Sequence, residues 1–309
     1  MSFSNGGRGL GAVLVLLLAF GFAFQACQKE TDCIYQDKRL CDPDYVPPPP
    51  SGFVYFDGVP ENYLRRHLLE EFTGFLCINC PTATAVADQM DTLYDGRLSV
   101  VAIHCSQFYA APTQSNPALP FHTDFRTTDG ENLYEYFAPE GLPDGVINRL
   151  GTENSETISY QNWPDRLSVL MADSVPEVYL GFQRVDIDTA LNVLSADVVV
   201  KPLKVDSNES YFINMGLVED GIVEGQKAPG NQTIEEYTHN HVFRGNSDGT
   251  WGRPAYTAGD LPGDELAFLM NFTIELQPEW VIENSEIFVY VYRNSNKEIV
   301  QVEELHLAP

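Results

Sequence analysis

The 309-residue chain is poor in positive charge: 18 Lys and Arg stand against 44 Asp and Glu, a net charge of −26 at pH 7. Phosphate binding is driven by clustered Lys and Arg, so this balance argues against nucleic acid as a partner. It argues equally against docking on anionic lipid through a basic patch. Only one long apolar run occurs, at the very start, which excludes a polytopic membrane protein. GxSxG, phosphate-loop and HExxH motifs are absent. The carboxylates are dispersed and never fall at EF-hand spacing, so they read as a solvated surface and no metal site is expected. Cysteine is scarce, six in all. Against these absences, 44% of residues are hydrophobic and 12% aromatic. That is too apolar for a disordered acidic chain and ample for a packed core. The length allows two domains.

The apolar run spans residues 10–24 after a single charge, Arg8. It is shorter than the ~20 residues of a bilayer span and fits the apolar region of a secretory signal. Phe24-Gln25-Ala26-Cys27 ends it. A small residue followed by Cys resembles a bacterial lipobox. Residues 1–26 are therefore read as a lipoprotein signal peptide, with Cys27 lipidated (a palmitate-type acyl anchor) as the new N-terminus. The lipid is the one covalent group expected, and no other cofactor is implied. Residues 27–52 form a lipidated tether that carries four successive prolines, 47–50, a stiff polyproline spacer.

The remaining cysteines divide by position. Cys33 and Cys41 lie in the tether and are expected to pair as a structural disulfide in an oxidising compartment. Cys77-Ile78-Asn79-Cys80-Pro81 is the sharpest motif. Residues 66–72 (RHLLEEF) read as a strand, Thr73-Gly74 breaks it, residues 81–94 read as a helix with Ala85, Met90 and Leu93 on its apolar face, and residues 97–104 (RLSVVAIH) read as a buried parallel strand. Pro81 suits the helix's first turn. Strand, CxxC, helix, strand is a βαβ unit with two thiols at a helix N-terminus, where the helix dipole favours a thiolate. A zinc site would need two more ligands at ordered spacing, and no second CxxC follows. Cys77 and Cys80 are expected to form a disulfide, leaving Cys105 free.

Two further residues suit a thioredoxin-like reading. Pro143 precedes a short apolar strand at 145–149 and stands where thioredoxin folds place a cis-proline against the CxxC. Glu71 lies six residues before Cys77, the offset of a buried acid that moves protons for the second cysteine. The competing reading is an exposed strand acid. Residues 108–126 hold three prolines and read as a long loop beside the groove. Helices are expected at 129–137 and 163–172.

Beyond residue 178 the pattern changes to short alternating strands, at 179–185, 191–200, 211–218, 266–276, 287–292 and 298–302. That suggests an antiparallel sandwich of about seven strands without a long helix. His239 and His241 form an HxH pair, which on a strand would share one face. A structural role is the simpler reading of that pair. The fold class expected is thus α+β in two domains: a thioredoxin-like α/β domain at 53–172, then an antiparallel, immunoglobulin-like β-sandwich at 173–309.

The segment His67-Leu68-Leu69-Glu70-Glu71-Phe72-Thr73-Gly74, running into Cys77-Ile78-Asn79-Cys80-Pro81, resembles the signature of the 28-kDa outer-membrane-protein family. Val146-Ile147-Asn148-Arg149 and the stretch 237–244 (YTHNHVFR) resemble its later motifs. The resemblance implies a Gram-negative outer-membrane lipoprotein, lipid-anchored and surface-exposed. It implies a receptor or adhesin role toward an extracellular protein or a host surface. The alternative is a tethered thiol–disulfide oxidoreductase, the one enzyme activity in view. There Cys77 attacks, Cys80 resolves, Pro143 holds the substrate backbone and Glu71 assists proton transfer.

Overall fold

The computed structural model describes residues 52–94, 96–112, 119–150 and 157–307. The leader, Cys27 and the expected Cys33–Cys41 pair lie outside the described residues. The first half is built on a βαβ unit. Strand β2 (His67–Thr73) and strand β3 (Leu98–His104) are buried along their whole length and pair in parallel, from His67↔Leu98 to Thr73↔His104. Between them runs α1 (Cys80–Tyr94). Cys80, Ala83, Ala87 and Met90 recur at helical spacing, and this stripe packs on Leu69, Val100, Ile147, Trp163 and Leu167. Ala85 and Leu93, expected on that face, point to solvent instead; Leu93 is 71% exposed. The apolar stripe is therefore one of small residues, which lets the helix lie close to the sheet.

Helix α2 (Thr128–Phe137) is capped by the Thr127 hydroxyl, which accepts from Gly130 N at 3.0 Å. Strand β4 (Asp144–Ile147) pairs antiparallel with β2, and α3 (Trp163–Met171), with Pro164 in its first turn, joins α1 on the same sheet face.

The rest is strand. β5 (Val178–Asp188), β6 (Val193–Pro202) and β12 (Leu266–Glu275) form a four-stranded antiparallel sheet with β1 (Phe53–Tyr55), in the order β1-β12-β6-β5. By pairing, β1 thus belongs with the later segment. β7 (Ser210–Glu219), β13 (Ser285–Arg293) and β14 (Ile299–His306) form the facing sheet, with β11 (Arg253–Thr257) on β7. Leu194, Ala196, Val198 and Val200 alternate inward along β6 and meet Ile213, Met215, Ile287 and Val289 from the other side. Every strand expected from 179 onward is present, with its ends displaced by a few residues. β8 (Ile222–Ala228), β9 (Gln232–His239), β10 (Val242–Asn246) and β11 have no counterpart among the strands expected from sequence.

Both halves share one sheet. β10 runs antiparallel to β7 and parallel to β3, so the order is β14-β13-β7-β10-β3-β2-β4. The sheet then curls until its last strand returns to its other end. Ile299 N donates to Asn148 O at 3.0 Å, Arg66 N donates to Gln301 Oε1 at 2.9 Å, and Gln301 Nε2 donates to Leu64 O at 3.2 Å. Inside the curl, Leu68, Phe72, Val101 and Leu133 pack on Phe243, Phe288 and Tyr290. The architecture is α+β and mostly β, with the described α-helices all in the first half.

Candidate functional site

The CxxC turn sits at the end of β2. Gly74 is required there: a Cβ at this position would lie 2.5 Å from Tyr109 O. The chain then turns, and Cys80 opens α1 with Cys77 three residues ahead. Cys77 and Cys80 are joined by a disulfide, Cα–Cα 5.4 Å. Ile78 and Asn79 at the tip are exposed, but Cys77 and Cys80 are only 2% and 1% exposed.

The second half packs against this turn. β8 and β9 pair only with each other, as a two-stranded ribbon. Buried Gln226, on β8, donates from Nε2 to Cys77 O at 3.0 Å and to Lys227 O at 2.9 Å. Lys227 N donates to Phe75 O at 2.7 Å. The same ribbon holds the described end of the 108–126 loop. Gly225 N donates to Pro120 O at 2.7 Å, and the Glu224 carboxylate accepts from His122 N and Thr123 N. Phe75 stacks on Phe121 at 5.5 Å, with Phe125 edge-on. CxxC turn, loop and ribbon therefore form one packed unit.

Glu71 is fully buried, not an exposed strand acid. Thr84, one helical turn beyond Cys80 on α1, donates its hydroxyl to Glu71 Oε1 at 3.2 Å, while Oε2 is buried without a partner. Burial pushes the Glu71 carboxyl up to about 8. Pro143 follows a cis peptide bond and leads into β4, where Asp144 pairs with Phe72 beside Thr73. Glu71, Pro143 and the disulfide are thus all placed by the same end of β2. Cys105 keeps a free, fully buried thiol, 3.8 Å from Thr73 O, and burial raises its pKa.

The HxH pair does not share a face. His239 ends β9, but His241 sits in a left-handed turn, φ 54°, before β10. The turn sends the rings apart. His239 is buried with His104 and Phe125, ring centroids 5.4 and 5.3 Å away, and burial holds both imidazoles neutral; that of His239 is lowered to about 4. His241 instead lies near the surface, 3.7 Å from Asp220.

Two residues beyond the sequence-selected set shape the other face of β2. Glu70 and Arg149 form a buried ion pair, Nη2–Oε1 2.5 Å and Nε–Oε2 2.8 Å. The guanidinium lies 5.0 Å from the Tyr290 ring centroid, 5.7 Å from that of Tyr292 and 5.8 Å from that of Trp251. Glu70 and Glu71 are neighbours on a strand, so they necessarily face opposite sides of the sheet.

The model of the family "Outer membrane protein Omp28" matches residues 130–308. Among solved structures, HBP35 of Porphyromonas gingivalis is 17% identical, with 79% of this chain and 76% of that chain covered and a TM-score of 0.58. A domain of the outer membrane lipoprotein Omp28 from Porphyromonas gingivalis is 19% identical, covering 44% of this chain and 91% of that one, with a TM-score of 0.31. A protein from Agrobacterium tumefaciens is 11% identical over 77% of this chain and 93% of that chain, TM-score 0.44. No curated protein sequence matches the chain. The likeness to HBP35 speaks to fold alone. The family match covers more than half of the sequence, and the chain belongs to the Omp28 family of outer membrane proteins.

Proposed function

We propose that this outer membrane protein is a lipid-anchored binding protein of receptor or adhesin type. It is built on a thioredoxin-like scaffold with an immunoglobulin-like sandwich behind it, and its Cys77–Cys80 disulfide is a structural clamp. The observation that carries this reading is the burial of both cysteines, with Gln226 tying the Cys77 backbone to the ribbon. Thiol–disulfide exchange needs an attacking thiolate to reach a sulfur, so a covered disulfide exchanges slowly. The partner would be an extracellular protein or a host surface. The anchor would be an acyl group on Cys27, with residues 27–52 as the spacer.

The test of the clamp is equilibration of the native protein in glutathione buffers, followed by alkylation and mass mapping. A structural bond gives a potential below about −300 mV. A value between roughly −120 and −270 mV would transfer the site to the second reading, a thiol–disulfide oxidoreductase. Glu71 is the specific observation favouring that alternative. A buried acid with a pKa of about 8, hydrogen-bonded to Thr84 one turn from Cys80, is suited to take up and return a proton near neutral pH. Intact mass and detergent partitioning of wild type and Cys27→Ser test the anchor; equal release of both into the soluble fraction would reject it.

A further inference from the structure

A second site lies away from the disulfide, at one end of the shared sheet. β10 meets β3 only at Val242↔Ala102, so the start of β3, residues 98–100, has no described strand on that side. A cavity of about 210 Å³ opens there. Four carboxylates line it, each from a different element: Asp91 from α1, Asp220 just after β7, Glu286 from the start of β13 and Glu304 from the end of β14. His241 and His306 stand at its edge, and no Lys or Arg is among the described lining residues. His306 Nδ1 reaches Glu286 Oε1 at 2.9 Å, but that ring is largely exposed. One wall also carries Ser99, 3% exposed, whose hydroxyl faces the Glu304 carboxylate without closing to a hydrogen bond. Buried Leu98, Val218 and Phe288 also line it.

Carboxylates gathered in a half-closed space repel one another and lose hydration. Glu286 shows both effects: burial first, then Glu304, Asp220 and Asp91, push its carboxyl up to about 8. A positive ligand removes that repulsion. A bare metal ion does not fit, because no three His, Cys, Asp or Glu among the described residues converge closely enough to hold one. The cavity is also smaller than the roughly 300–1,000 Å³ of a small-molecule pocket. It has room for one end of a ligand, with charge at the tip and a hydrocarbon stem.

We infer that this cavity binds a single alkylammonium or guanidinium group, drawn in by the combined field of Glu286, Glu304, Asp220 and Asp91 rather than by coordination to all four. The chemistry is that of a lysine or arginine side chain, or of a small aliphatic amine. The inference is independent of the redox state of Cys77–Cys80.

Titration calorimetry on the full chain tests it, with Nα-acetyl-lysine methylamide, Nα-acetyl-arginine methylamide, butylamine, Nα-acetyl-norleucine methylamide and calcium chloride as probes. The cationic probes are expected to bind saturably and more weakly as salt rises, and the norleucine analogue at least about tenfold more weakly. Tighter binding of blocked lysine than of butylamine assigns the site to a side chain presented by a polypeptide; equal binding assigns it to small amines. Glu286→Gln and Glu304→Gln should each weaken the cation about five- to tenfold, the loss of one charge-assisted contact. At pH 7 the wild type should release a proton on binding, read from the enthalpy in two buffers, and Glu286→Gln should not. The other groups that set this titration are Asp91 on α1, Asp220 after β7, His241 before β10, Glu304 and His306 on β14, and Arg66 beside Glu304. If Glu286→Gln fails to fold, Asp91→Asn on the half-buried face of α1 carries the affinity readout. Equal binding of the norleucine analogue, no saturable binding of any organic cation, unchanged affinity in the variants, or calcium binding more tightly than every organic cation would each overturn the inference.

Discussion

Replacing Glu71 with Gln should stabilise the protein, and by an amount that depends on pH in a calculable way. Folded Glu71 holds its proton until about pH 8, whereas an ordinary glutamate releases it near 4.5. Between those values the folded state binds more protons than the unfolded one, so stability falls as pH rises. Below about 4.5 both states are protonated and the penalty is absent; above about 8 it is complete. Each unit between them costs about 1.4 kcal/mol, so at pH 7 the penalty is about 3 kcal/mol. Glu71 is fully buried, so solvent screening takes little from this figure. Glu71→Gln keeps an acceptor for the Thr84 hydroxyl and removes the ionisation. Burial also raises the carboxyls of Glu286 and Glu303, but both are present in either protein and cancel in the difference. The assay is guanidinium unfolding of wild type and Glu71→Gln at pH 5, 6, 7 and 8, with the disulfide intact. The stability difference should grow by about 1.4 kcal/mol per unit from pH 5 to 7 and then level off toward pH 8. Two curves separated by a constant offset would refute the reasoning and show that Glu71 ionises as an ordinary carboxylate.

Glu70→Gln leaves the Arg149 guanidinium buried without its counter-charge and should cost about 3–5 kcal/mol, while Glu70→Gln combined with Arg149→Met should cost less than that single change; chemical denaturation measures both. Gly216→Ala places a Cβ 2.3 Å from Phe288 Cζ, between β7 and β13, and should destabilise by about 1–3 kcal/mol in the same assay. Gln226→Ala removes the bond to Cys77 O and should speed reduction of Cys77–Cys80 by dithiothreitol in the native state; an unchanged rate would count against the ribbon as the cover.

The βαβ unit was legible because its signals are local. Residues 67–73 and 98–104 are runs dense in apolar side chains, Thr73-Gly74 ends the first, and Pro81 stands in the first turn of α1. The long strands of the sandwich show their alternation directly. The covering ribbon was not legible, since β9 reads QTIEEYTH and is mostly exposed, with no apolar period to reveal it. Gly225 interrupts β8 in the same way: its backbone is pressed against Pro120, a contact between residues far apart in the chain. The HxH spacing misled because strand alternation holds only while the strand continues, and Asn240-His241 is a turn. Glu70 and Glu71 look alike in sequence. Their different fates, an ion pair with Arg149 and a lone acid beneath α1, are decided by partners on opposite sides of the sheet.

The curled sheet also dictates when this chain can fold. Its first long strand is fastened near its start to β14: Arg66 pairs with Glu303 and bonds Gln301, more than 230 residues later. β3 waits in the same way for β10, which arrives about 140 residues after it. The core inside the curl takes residues from both halves, so it cannot be completed while the second half is still emerging from the ribosome or a translocation pore. In an elongating or exported chain that shared core stays open until β13 and β14 are delivered. Loss of its last eleven residues, 299–309, would remove β14 and so undo ties made by the beginning of the chain as well as its end.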